Sequence, residues 1–292
     1  MGAGASSAIE TACEQFGWQA MLEHLSYSQY RSYTACPRQW YLGKLRQGEE
    51  VQSWYICIGR AVHDKLEDAL KGGPERPMED YFYPLVAKQM EIEPDLTKWL
   101  AGGPEFAPIT HEKALQRAVD CYEKAVQELE DIEVWEVEYD ASGRLPGLSV
   151  PLKAYVDIIG EHKTKGPVIW DWKTGSTKPD NFQLETYAAL LRYDDREQAG
   201  RLVNSVNYQG RYMMISPTYT SQTRYVDLSK VDPMEVGKKY EAVYRRMQAK
   251  HYETRAGFNC KFCFMQDNCL VNAGITPRST YYDRSTDDGY PF

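Results

Sequence analysis

Apolar residues along this chain follow two periods, and the switches between them mark its elements. Spacings of three and four recur in YICIGRAVHDKLEDAL (55–70), which KGGP terminates, in HEKALQRAVDCYEKAVQELE (111–130), in NFQLETYAALLRY (181–193) and over 229–250, and each predicts an amphipathic helix. Upstream, Ser26 or Ser28 can cap one short helix and Pro37 can open the next. Residues 1–25 read as helical without clear caps. Residues 72–110, with GGP twice, read as an irregular insertion with short helices. Alternation takes over in DIEVWEVEYD (131–140), in 152–157, in 168–173, in SVNYQGRYMMIS (205–216) and in TSQTRYVDL (220–228), and predicts strands. The order is helices, three strands, a helix, two strands and a helix. It predicts an α/β (α+β) fold, a mixed central sheet flanked by helices. The organisation expected is a helical segment over 1–25, one domain over 26–275, and a polar, Tyr-rich flexible tail over 276–292.

The two central strands raise a chemical question. Lys153, Tyr155 and Asp157 alternate with Leu152, Ala154 and Val156, while Ile169, Asp171 and Lys173 alternate with Val168, Trp170 and Trp172. Side chains two apart share a face, and a hairpin centred near Thr164 sets Asp157 opposite Asp171. Directly opposed side chains sit about 5 Å apart, and like charges there destabilise a sheet. The pair becomes favourable when a divalent cation lies between the carboxylates. Mg²⁺ and Mn²⁺ take such oxygen ligands together with water and phosphate, and Lys173 can reach the same place. Taken alone, a D-x-K on an edge strand is equally a surface ion pair.

Composition narrows the setting. The chain has 292 residues, 42% hydrophobic and 26% charged, with a formal charge of −8, so net charge does not draw it to a polyanion and a nucleic-acid partner needs a local basic patch or bound cations. No apolar run approaches the roughly 20 residues of a membrane span, and no secretory signal opens the chain. The start MGAGAS matches the myristoylation pattern, with Gly2 and Ser6, but such short runs of small residues recur by chance and it reads rather as a simple leading segment. The odd count of 7 cysteines argues against a disulfide framework and for a reducing compartment, the cytoplasm, with a metal site. No G-x-x-x-x-G-K-[ST] occurs, so an ATP-driven motor would be a separate partner.

Four pieces in order carry a resemblance: GRAVH (59–63), AYVDIIG (154–160), VIWDWKTGS (168–176) and QLETY (183–187). Together they resemble the PD-(D/E)XK nuclease superfamily in its RecB-like exonuclease branch, over most of residues 26–270. The resemblance implies a restriction-endonuclease-like core and a metal-dependent DNA nuclease. It implies that His63, Asp157 and Asp171 bind the metal, that the backbone carbonyl of Trp172 reaches it, and that Lys173 is the catalytic lysine. Gln183 and Tyr187 match a Q-x-x-x-Y motif placed near the DNA. Many members carry Glu where this chain has Asp171, and the shorter side chain changes its reach to a metal. Glu138 matches a common acidic position of the branch and is assigned a supporting place behind the ligands. On the helix, Glu67 stands four residues from His63 and can orient its imidazole or bind metal itself.

Cys260, Cys263 and Cys269 form C-x₂-C-x₅-C, three thiolates of a site that needs four. Cys36, in ACPRQW, is the best fourth, and four thiolates suit Zn²⁺ and an iron–sulfur cluster alike. The RecB-like branch includes iron–sulfur nucleases, AddB-type subunits and the CRISPR-associated Cas-four exonucleases, with one Cys before the core and three after it. That resemblance implies a 4Fe–4S cluster on Cys36, Cys260, Cys263 and Cys269, with 258–270 as the cluster-binding segment joined to the helical N-terminal part. Cys13, Cys57 and Cys121 are expected to be ordinary buried thiols. The helix KKYEAVYRRMQAKH (238–251) offers either a basic surface for the DNA backbone or a solvated face. The function expected is an exonuclease on DNA, single-stranded or with free ends, in repair, recombination or CRISPR-type processing alongside helicase, recombination or adaptation proteins. A non-catalytic DNA-end-binding subunit is the rival reading, and the intact D…D-x-K set argues against it.

Overall fold

The structure of the chain, a computed structural model, describes residues 22–45, 53–96, 99, 110–174, 180–205, 207–216, 220–222, 224–257, 260, 263, 265 and 269. The segment expected to be helical up to residue 21, Cys13 and the tail over 276–292 lie outside the described residues. The described chain divides into two compact units, one within Val51–Ala141 and Tyr155–Val231, the other within Met1–Glu50, Ser142–Ala154 and Asp232–Tyr282.

The first unit is built on a mixed sheet. Its elements are α3 (Trp54–Leu70), α4 (Glu79–Ile92), α5 (His111–Glu128), β1 (Ile132–Asp140), β2 (Tyr155–His162), β3 (Gly166–Thr174), α6 (Phe182–Leu191), α7 (Glu197–Val203), β4 (Gln209–Ile215), β5 (Thr220–Gln222) and β6 (Val226–Asp227). The strand order is β1-β2-β3-β4-β5, with β6 also pairing β4. The first three strands run antiparallel, and β3 and β4 are parallel, joined through α6 and α7. This is the mixed, helix-flanked sheet that the two periods predict.

One face of the sheet holds the main core. Ile158, Val168, Trp170, Trp172, Met213 and Ile215 pack with Trp54, Ile58 and Val62 of α3, Phe82 of α4, and the small residues Ala114, Ala118, Cys121 and Ala125 of α5. That last set recurs at i, i+4, i+7 and i+11, a stripe that lets α5 come close. Each large buried side chain contributes about 1.5–3 kcal/mol. On α6, Phe182, Leu184, Thr186 and residues Tyr187 to Leu191 are all buried, as expected of a helix that is apolar nearly all round.

Helix α4, at 14 residues, is longer than the short helices expected of this insertion. The sequence hides its length because Pro84 sits in its interior and Met78 supplies no side-chain cap. The seven-residue α7 was not foreseen, and TSQTRYVDL forms two short strands rather than one.

The second unit holds α1 (Tyr27–Ala35), α2 (Pro37–Leu45) and α8 (Pro233–Gln248). Ser26 caps α1 by accepting from the Gln29 amide, and Pro37 opens α2. Leu25 pairs with Leu152, its amide donating to the Pro151 carbonyl at 3.0 Å. The buried Tyr33 donates its hydroxyl to the His251 carbonyl at 2.5 Å, and Tyr30 and Tyr240 lie 4.9 Å apart.

The β1–β2 register carries a bulge. Ile132, Glu133 and Val134 face His162, Glu161 and Gly160, but Glu136 faces Ile159, so Trp135 is an extra residue on β1. Gly160 makes room for it, since a Cβ there would stand 2.5 Å from the Glu133 carbonyl oxygen and 3.3 Å from the Val134 Cα. Backbone cannot yield as a side-chain tip can. Gly160→Ala is therefore expected to lower the unfolding free energy by about 1–3 kcal/mol, seen as a lower urea midpoint with an unchanged m-value.

Candidate active site

The bulge decides which residues meet. Beyond it, Val137 faces Ile158 and Tyr139 faces Val156, so Glu138 lies opposite Asp157. In the next ladder Ile158 faces Trp170, and one step on Asp157 lies opposite Asp171. Glu138, Asp157 and Asp171 thus occupy one rung across three neighbouring strands, as the hairpin centred near Thr164 predicts for the second and third. The β2–β3 pairing itself ends at Ile158. There the Asp157 Oδ2 accepts the Trp172 amide hydrogen at 2.7 Å, a carboxylate standing where a strand carbonyl would. Trp172 joins the site through this N–H.

His63 reaches the rung from α3. Among the described residues, one set of three metal-capable side chains brings its ligand atoms within 4.8 Å of one another, namely His63, Glu138 and Asp157. Gly59 allows this approach: a Cβ there would stand 2.5 Å from the Thr174 Oγ1 at the end of β3. Glu138 itself has a left-handed backbone, φ 51°, which costs a non-glycine residue of order 1 kcal/mol and tends to occur at functional sites. Sequence reasoning set Glu138 behind the ligands. The geometry puts its carboxylate among them, and the only signal lay in the unseen bulge, without which Glu138 would face Val156.

Asp171, 1% exposed, stands outside that set of three. Its Oδ1 accepts from Gln183 Nε2 and from the Tyr187 hydroxyl, each at 3.0 Å, and Gln183 Nε2 also donates to the Tyr187 hydroxyl oxygen at 2.6 Å. Its Oδ2 forms an ion pair with the Lys173 ammonium. Gln183 and Tyr187 lie four apart on α6, so both point at one carboxylate. Hydrogen bonds to a charged group are worth about 1.5–3 kcal/mol each, enough to fix the orientation of Asp171.

The electrostatics report crowding. Burial, and then the Asp171 charge, push the Asp157 carboxyl well above the usual carboxylate range, with Lys173 opposing. Glu138 is raised as well, by burial and then by Glu67, against the effect of Lys71, Arg60 and a hydrogen bond with Asp157. Burial pulls the His63 imidazole down to about 4, with Asp171 opposing and Lys173 and Arg60 reinforcing. A neutral imidazole is the form that binds a metal. Burial and the neighbouring Asp171 and Asp157 raise the Tyr187 phenol well above its ordinary value, keeping it a hydrogen-bond donor. Glu67 is turned to Lys71, 2.6 Å away, rather than to the imidazole. A cleft of about 330 Å³ opens on His63 and Glu138, lined also by Tyr55, Ile56, Gly59, Arg60, Asp64, Glu67 and Thr174.

In the other unit, the turn holding Cys36 is laced to the segment that leads into the cysteine cluster. The Arg38 amide donates to the Glu253 carbonyl at 3.3 Å, and the Arg255 guanidinium bonds the Thr34 carbonyl. The four cysteines form no set within 4.8 Å among the described residues. Even so, the Cys263 thiol is raised by burial first and then, against the Met265 amide, by Cys36, Cys260 and Cys269, so all three thiols lie within electrostatic reach. Cys57 and Cys121 are buried at 0% and 2%. On α8, Lys238 pairs with Glu235, Arg245 with Glu241, and Arg246 with Glu253, so much of its positive charge is answered within the unit, which fits the solvated face rather than a DNA surface.

No helix among the described residues is long and apolar enough to cross a membrane. No curated protein matches the chain. Among solved structures, the crystal structure of SSO0001 aligns at 16% identity over 70% of this chain and 92% of that one, with a TM-score of 0.32, a likeness too loose to bear on fold or site. The family model of the PD-(D/E)XK nuclease superfamily matches residues 24–270. That span contains the whole acidic rung, His63, Lys173 and the α6 pair, and the chain belongs to the PD-(D/E)XK nuclease superfamily, whose chemistry is metal-dependent cleavage of nucleic acid.

Proposed function

We propose that this protein is a divalent-metal-dependent exonuclease of the RecB-like branch, acting on single-stranded DNA, with a structural 4Fe–4S cluster. The observation that carries the reading is the rung of Glu138, Asp157 and Asp171 beside His63 and Lys173. Buried carboxyls opposed in this way are a liability in a sheet and an asset around a hard cation. His63, Asp157 and Glu138 would hold Mg²⁺ or Mn²⁺, with Asp171 and the Trp172 carbonyl completing the site. The mixed nitrogen and oxygen donors suit Mn²⁺ at least as well as Mg²⁺. A bound cation supplies charge neutralisation at the phosphate and activation of water.

The chain's own groups do the rest. Gln183 and Tyr187 fix Asp171, and Asp171 in turn holds the Lys173 ammonium at the edge of the site. When substrate enters, that ammonium donates to the phosphodiester or orients the water for attack in line with the leaving oxygen. Asp157 and His63 are half-buried, and the cleft that His63 lines is the way in for a strand.

For the cysteines, four thiolates suit Zn²⁺ and an iron–sulfur cluster alike, and the resemblance of their order along the chain to that of the iron–sulfur nucleases is what favours the cluster over Zn²⁺. Thiolate ligation of this kind suits a reducing compartment, and we place the protein in the cytoplasm. The setting that fits is DNA repair, recombination or CRISPR-type processing, with any motor supplied by a partner.

Three outcomes are expected. Lys173→Ala loses cleavage of end-labelled single strands by about 10²–10⁴-fold while retaining binding by gel shift; wild-type protein inert with both Mg²⁺ and Mn²⁺ would sink the enzyme reading. Asp157→Asn keeps an acceptor for the Trp172 amide but removes a charge that the folded state disfavours. Because burial and Asp171 raise the folded-state pKa of Asp157, stability is lost as pH rises from the ordinary carboxylate value to the raised one and stays lost above it. The variant should therefore melt higher than wild type in chelator at neutral pH, by about 2–4 °C per kcal/mol relieved, and lose the further rise that Mn²⁺ gives wild type. Anaerobically purified protein should carry iron and acid-labile sulfide in equal amounts with visible absorbance, and Cys36→Ala should lose both; one zinc per chain without sulfide would favour the zinc alternative.

A further inference from the structure

The solvent-facing stripe of α3 does more than present His63. Trp54, Cys57, Ile58, Ala61, Val62 and Leu66 point into the core, while Ile56, Arg60, His63 and Glu67 follow at i, i+4, i+7 and i+11 on another face. All four line the cleft that opens on Glu138, together with Tyr55. Ile56 is 54% exposed, a large apolar side chain left in water beside a polar site. It is not part of the face that α3 buries, which is made by Trp54, Cys57, Ile58, Ala61, Val62 and Leu66. At 1.5 Å per residue, Arg60 lies about 4.5 Å and Ile56 about 10 Å along the axis from His63. The stripe therefore reads, from the metal-capable group outward, as cation and then apolar contact, the order in which a nucleic-acid strand offers a phosphate and then a base. A cleft of about 330 Å³ is at the small end of ligand sites, suited to one nucleotide.

Arg60 is available for this task. Its partner Asp64 is 2.9 Å away, with the two side chains 68% and 34% exposed. Such exposed pairs contribute little and exchange readily, so a phosphate can take the guanidinium.

We propose that Tyr55, Ile56 and Arg60 form a subsite for the unpaired nucleotide next to the phosphodiester being cut, with Tyr55 and Ile56 packing on the base and Arg60 on the phosphate. The proposal rests on the nuclease reading and specifies its substrate as a strand whose base is free to leave the stack. Base-packing contacts of this kind tolerate any sequence, because every base has a π-face.

The test uses full-length protein carrying Lys173→Ala, a fluorescent oligothymidylate and a blunt duplex, with Mn²⁺ present. Adding Ile56→Ala is expected to weaken oligothymidylate binding about tenfold, the apolar area lost from the base contact, and to affect the duplex less. Adding Arg60→Ala is expected to flatten the dependence of log K on log salt by about 0.7, the loss of one phosphate contact on a single strand. Ile92→Ala, on the similarly exposed apolar side chain of α4 at 46%, should bind as the parent does. Unchanged affinity and salt slope in the Ile56 and Arg60 variants overturn the subsite, and equal losses on duplex and single strand overturn its assignment to an unpaired base. Cleavage by the enzyme with Lys173 intact is measured in the same buffer: if it is absent, the nuclease reading falls and this inference with it, whereas cleavage with unaffected variants removes the subsite alone.

Discussion

Like charge held out of water is the constraint on which this protein turns. Two unit charges about 5 Å apart at an effective dielectric near 20 repel by about 3 kcal/mol, and the rung sets three carboxyls at strand spacing. In the metal-free protein the strain is answered in two ways. Asp157 and Glu138 are pushed toward their protonated forms, and Lys173 neutralises Asp171. Both answers are provisional, since a proton and an ammonium can each be displaced by a divalent cation. The site is stable enough to fold and poor enough in positive charge to want one.

The backbone imposes this arrangement. A regular β1–β2 ladder would bring Val156 opposite Glu138 and turn the glutamate away. One extra residue at Trp135, admitted by Gly160, changes the register, and the left-handed φ at Glu138 re-aims its side chain. On the other side, Asp157 takes the Trp172 amide into its own carboxylate. Gly59 then lets α3 close on the end of β3 so that His63 arrives. Bulge, capped amide and close helix approach act on one point, and each departs from the ideal element it interrupts, as strained functional positions tend to do.

These departures divide what the sequence could disclose from what it could not. The Asp157–Asp171 opposition follows from period-two alternation and a symmetric hairpin, so it was legible, as were most helices, with Ser26 and Pro37 marking two starts. Glu138 could be noticed only as an acidic residue near a strand end, because a bulge is a change of register and leaves no change of pattern. The length of α4 was hidden by Pro84, and α7 by its brevity. For Cys36, three closely spaced cysteines only implied a fourth thiol elsewhere; the Arg38 amide on the Glu253 carbonyl and the Arg255 guanidinium on the Thr34 carbonyl join its turn to the segment over two hundred residues on that leads to Cys260. The sequence left α8 open between a basic surface and a solvated face, and Lys238 and Arg245 meet acids on their own helix.

A formal charge of −8 and an acidic site appear at odds with a polyanionic substrate. The conflict is resolved if the attraction is local and conditional. Among the described residues, two cations at the site are held by carboxylates: Lys173 by Asp171, and Arg60, loosely, by Asp64. Each is paired with a carboxylate that a divalent cation or a phosphate can replace as partner. Filling the rung would therefore free positive charge at the same place where it adds its own, and the affinity for a strand would rise with metal occupancy instead of standing ready without it. A nuclease of net negative charge would then engage the strand chiefly where, and when, it is able to cut.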